Sequence, residues 1–144
     1  MRNTFIFTLL FISSFAFAQK KNDPTFLVAK EFIVTKFHTV DELKKMDKFA
    51  LLELYKERVT AIINFLPFIA LTNKPGQSLK ELGIPESNEN LNLLKNQASV
   101  KVEVIKITDN LLSSYMPYAD RNETIWSIVF FEDILKKIAM GHDF

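Results

Sequence analysis

From Ser87 to Met116 the chain contains neither glycine nor proline. An unbroken run of that length must be either one long helix or strands joined without turn residues. The alternation Val100-Lys101-Val102-Glu103-Val104 favours a strand locally. The longer pattern favours a helix. At about 100° per residue, Leu93, Leu94, Ala98, Val100, Val104, Ile105, Ile107, Leu111, Leu112, Tyr115 and Met116 share one half of the wheel. Asn92, Asn96, Ser99, Glu103, Lys106, Asn110 and Ser114 share the other half. Leu91 and Val102 are the apolar residues outside the arc. The pattern predicts a helix over 88–115, including the ambiguous stretch 99–108. Its β-branched residues lower propensity modestly, and packing overrides that.

The remaining signals are also helical. Asp23 and Pro24 suit an N-cap and first position, so a helix is expected over about 24–37. Thr39 and Glu42 form a capping box that opens a long second helix. Val59–Leu71 holds only Thr60 and Asn64 as polar residues, which reads as a central segment buried on all sides. Pro67 should kink or end it. Asn73-Lys74-Pro75-Gly76 is a turn cluster, followed by one capped helical turn at 78–82 that Gly83 closes. Asp120 or Asn122 caps a last helix over about 121–140, with Gly141 as its terminator. Glu132–Lys136 and Asp133–Lys137 are spaced as i,i+4 ion pairs on it. The expected fold is all-α: a bundle of four main helices, plus a short helical turn in the 73–87 connection.

The first eighteen residues read differently. Arg2 precedes an apolar run from Phe5 to Phe15, and Ala16-Phe17-Ala18 fits an A-x-A cleavage pattern. That is the anatomy of a secretory signal peptide, and the run is short for a membrane span. The reading is a signal over 1–18 and a single domain over 19–144, exported to the periplasm or the medium, with no integral span after cleavage. Here composition matters. Arg2 is among the 18 basic residues that face 17 acidic ones, so cleavage leaves no net charge. A basic footprint for nucleic acid is missing. The chain has no cysteine. That excludes a disulfide scaffold, a thiolate metal site, a cysteine nucleophile and a lipid-anchoring cysteine.

Motifs for chemistry are sparse. His38, Asp41 and Glu42 offer metal-type donors within one turn, but acids there are expected from the helix dipole. His142 lies in a tail. Three glycines cannot build a phosphate loop, and no G-x-S-x-G elbow occurs. Glu53 and Glu57 sit one turn apart among Lys56 and Arg58, which reads as a solvated face. Adjacent Glu132 and Asp133 diverge on a helix. No catalytic residue, metal site or cofactor is expected.

Two groups remain as binding candidates. Gln97, Lys101 and Thr108 lie inside the apolar arc, and Arg58 lies on the apolar side of the second helix. Such groups must pair, snorkel, or anchor a ligand headgroup in a bundle pocket. Tyr115, Tyr118 and Trp126 gather with Met116 and Pro117 at an interhelical corner, either as an end cap or as a partner-binding spot. Asn122-Glu123-Thr124 fits a glycosylation sequon, but a helix start explains it equally. The expectation is an exported non-catalytic bundle acting as a protein-binding or structural module, with a protein partner or self-association; an inhibitor or immunity-type protein is one version of it. The alternative is a carrier of an apolar small molecule or lipid.

Overall fold

The structure, a computed structural model, describes residues 26–141. The signal segment and His142 lie outside them. The described residues form four α-helices and no strand. They are α1 (Val40–Leu43), α2 (Lys48–Phe65), α3 (Asn88–Tyr115) and α4 (Arg121–Met140). The all-α bundle is therefore correct, with three long helices and one short piece. None is long and apolar enough to cross a membrane.

Local chemistry sets most ends. Ser87 accepts the Asn90 N–H and starts α3, which runs unbroken through 99–108. Asp120 accepts from the Asn122 and Glu123 amides and starts α4. α2 stops at Phe65, and Leu66–Phe68 tightens into a 3-10 turn around Pro67, which has no N–H to continue the ladder. Lys80–Leu82 is the short turn expected in the connection. Gly83 closes it at φ 71°, a left-handed conformation that side chains resist. Ile84 then donates its N–H to Leu79 O at 2.9 Å and packs against the core.

Two capping boxes are complete. The Glu42 carboxylate accepts the Thr39 N–H at 2.7 Å, and Glu81 accepts the Ser78 N–H at 2.7 Å. These amides, followed by the Thr39 and Ser78 hydroxyls, hold both carboxyls below the ordinary Glu pKa. A lowered pKa in the folded state adds stability above the unfolded pKa. That contribution is lost as pH falls through the folded value. Stability should therefore drop below about pH 4.5. A Thr39→Ala, Ser78→Ala double variant should show a shallower drop in urea midpoints measured from pH 6 to pH 3.

The expected first helix is corrected. Within 26–37 only Lys30–Phe32 winds, as a 3-10 turn. The peptide groups of this segment bond elsewhere. Gly76 donates to Val28 O at 2.7 Å, and Leu27 donates to Gln77 O at 3.4 Å. Val28 is fully buried in the process. The β-branched run Ile33-Val34-Thr35 resists winding further. The second helix is likewise split. Asp47 caps α2 by accepting the Ala50 N–H at 2.7 Å, while Arg121 donates to the carbonyls of Lys44 and Met46 that α1 leaves open.

α2 is the hub of the bundle. α4 packs along it most extensively, α3 packs on it as well, and α1 rests on α4. Lys56 meets Asp109 at 2.8 Å and Lys48 donates to Pro117 O, so α3 runs antiparallel to α2. The Asp109 contact raises the Lys56 pKa. The core has two apolar clusters. One joins Leu27, Val28, Ala61, Phe65, Phe68, Leu79, Leu94 and Leu135. The other joins Leu43, Leu51, Ile125 and Ile128. The all-round burial expected of Val59–Leu71 is only half right. Ala61, Asn64, Phe65 and Phe68 are buried, but Leu66, Ile69 and Leu71 are exposed.

Candidate functional site

Between the two clusters, on the α2–α4 interface, lies a buried ionic clasp. Arg58 is 2% exposed and Glu132 is 1% exposed. Arg58 reaches Glu132 Oε1 with Nε at 3.0 Å and Nη2 at 2.9 Å. His38 Nδ1 meets the same oxygen at 2.8 Å, and the His38 backbone N–H donates to Oε2 at 2.6 Å. Three hydrogen bonds thus converge on one carboxylate, from the His38 amide, the His38 ring and Arg58 Nε, with Arg58 Nη2 in ion-pair contact beside them. Arg58 spends its other protons on Glu57 Oε1 at 2.7 Å and Lys36 O at 2.8 Å. This arrangement positions chain segments: it joins α2, α4 and the stretch leading into α1. Arg58, a ligand-binding candidate from sequence, is consumed here. His38 pairs with Glu132 rather than with Asp41 and Glu42. Glu132 turns inward instead of pairing with Lys136, which reaches Asp133 at 3.4 Å. Among the described residues no group of three or more His, Cys, Asp or Glu side chains is placed to hold a metal.

The other three polar candidates of the arc sit together on α3, half-buried. Lys101 lines a groove of about 190 Å³ with Phe26, Leu27, Phe32, Leu94, Ala98, Val102 and Ile105, and with Asn64 and Lys95. Its ammonium stands 6.0 Å from the Phe32 ring centre and 5.9 Å from that of Phe68, within cation–π range. Gln97 and Thr108 lie on the same flank of α3 but are not among the lining residues. Among the described residues two buried acceptors, Asn64 Oδ1 and Gln97 Oε1, have no hydrogen-bond partner, although Asn64 Nδ2 donates to Thr60 O at 2.8 Å.

The apolar arc that predicts α3 is only partly covered. Half of the apolar arc of α3 faces solvent. Leu93, Val100, Val104, Ile107, Leu111 and Tyr115 are between 43% and 67% exposed. At 100° per residue these six fall within about 80°, and over 93–115 they run about 33 Å along the helix. The inner half, including Leu94, Ile105 and Leu112, is buried or half-buried. α3 therefore carries three faces: one packed inward, one apolar and open, and one polar.

The aromatic candidates are open too. Tyr118 is 88% exposed, Trp126 is 62% exposed, and Tyr115 ends the α3 stripe. Trp126 stacks on Phe130 at 5.5 Å and 8° on the outer face of α4. Comparison with protein-family models, curated proteins and solved structures yields no match.

Proposed function

We propose that this chain is an exported, non-catalytic helical bundle that works as a protein-binding or assembly module through the open apolar face of α3. The observation that carries this reading is the six-residue stripe from Leu93 to Tyr115. Its exposed area is on the order of 600–700 Å² in one contiguous strip, whereas the largest patch on a typical monomer is about 300–600 Å². Apolar surface of that extent stays in water only at a cost, and covering it with a partner recovers that cost. Tyr115 and Tyr118, at the end of the strip, are residue types that anchor interfaces. The signal anatomy of residues 1–18 supports export. After cleavage the charge balances, and no cysteine is left to carry a lipid.

The groove at Lys101 favours a second reading, a carrier of small apolar molecules. Its volume of about 190 Å³ exceeds the roughly 150 Å³ that accommodates benzene in an engineered apolar cavity.

Native mass spectrometry of the chain purified from its own host separates the two. The module reading expects a bound polypeptide, and a Val104→Asp, Ile107→Asp variant should lose it while keeping its helical circular dichroism. A bound small molecule, retained by that variant and lost from Lys101→Ala, would overturn the module reading in favour of the carrier.

A further inference from the structure

Resting on that reading, we infer that the partner of the α3 face is a second copy of the same chain, joined about a two-fold axis. Leu93, Val100 and Ile107 recur every seven residues. Gln97, Val104 and Leu111 form a parallel row four residues on. Alternating steps of four and three are the pattern by which one helix seats its side chains between those of another helix. No helix of the described residues occupies these rows, because their apolar members are all exposed. An identical α3 brings the same two rows, which makes the surface self-complementary in the way a two-fold interface demands.

Area agrees. The stripe offers on the order of 600–700 Å² from each copy, close to the ~800 Å² per partner of a standard stable interface. Tyr118, 88% exposed, follows three residues after Tyr115 in the turn that ends α3.

Charge agrees as well. The two rows and Tyr115 contain no ionisable side chain that is charged at neutral pH. Along the polar edge run Asn96, Glu103, Asn110 and Ser114, of which Glu103 alone is charged. A highly charged partner would find Glu103 alone to pair with along that edge. A second copy, with no net charge after signal cleavage, meets no long-range repulsion. Gln97 is the one polar member of the rows, and it is half-buried against its own chain, its Oε1 covered.

The absence of native cysteine makes the test clean. Single-cysteine variants Val104→Cys and Ile107→Cys place a thiol in the rows, and Ser99→Cys places one on the polar face. With dissolved oxygen as oxidant, at least one row variant is expected to form disulfide-linked dimer rapidly at micromolar concentration. Ser99→Cys should form little. Analytical ultracentrifugation of the purified chain should give a dimer whose Kd rises by about tenfold or more in Val104→Asp, Ile107→Asp. Unchanged circular dichroism would show that the variant is folded.

A chain that stays monomeric at hundreds of micromolar, with row variants cross-linking no faster than Ser99→Cys, overturns the self-association. If that monomer still leaves its host bound to another polypeptide through α3, the module reading survives alone. If the aspartate variant changes neither the mass in solution nor the host complex, both fail.

Discussion

Replacing Glu132 with alanine is expected to cost about 3–5 kcal/mol of folding stability. The reason lies less in the ion pair than in what its loss leaves behind. Arg58, 2% exposed, would keep its charge without the carboxylate that accepts its Nε proton and pairs with its Nη2. Its remaining acceptors would be Glu57 and the Lys36 carbonyl. The His38 amide would also lose its acceptor. A domain of this size has about 5–15 kcal/mol in total, so the variant should be marginal. Urea denaturation followed by circular dichroism measures the drop. A double variant, Arg58→Met with Glu132→Leu, decides the mechanism. Apolar groups of similar volume remove both charges together, so the double variant should be clearly more stable than Glu132→Ala alone. A double variant as unstable as the single one would mean that the His38 contacts, not the charge balance, hold the segment.

The second large effect is expected at Ile128. It is fully buried and lies with Leu43, Leu51 and Ile125 in the smaller apolar cluster. Truncation to alanine removes three carbons from a site lined by α1, α2 and α4. Neighbours held by three separate helices cannot all move in to fill the space. A cost of about 3 kcal/mol follows, within the 2–5 kcal/mol typical of such truncations. Trp126, two residues earlier on the same helix, provides the contrast. It is 62% exposed and stacks on Phe130, which is also exposed. Trp126→Ala should change stability by no more than about 0.5 kcal/mol. Thermal and urea melts of the two variants should differ clearly, with the urea m-value unchanged in both.

Which features could be read from sequence follows from the range of the forces involved. The ends of α3 and α4, the capping boxes, the turn at 80–82 and the left-handed Gly83 all depend on hydrogen bonds within a few residues. Their signals are therefore local, and the expected boundaries hold. The failed helix at 24–37 has good local signals as well. It loses because Leu27 and Val28 bond to a turn at 76–77, which no window around them contains. The clasp had an overlooked signal. Ile125, Ile128, Glu132 and Leu135 keep the spacing of one buried helix face, so the acid in that row announced an internal cation. Arg58 on the apolar side of α2 was the other half of the same message. The exposed stripe was hidden for a different reason. A wheel tells which residues share a side of a helix, and is silent on how many neighbours cover it.

The clasp also fixes an order of events. Glu132 meets His38 across 94 positions and Arg58 across 74. A chain made from its amino end therefore exposes His38 and Arg58 long before their acceptor exists. The clasp that holds the stretch entering α1 cannot close until Glu132 has been made. A chain cut short before Glu132 would leave His38 and Arg58 without the carboxylate they share.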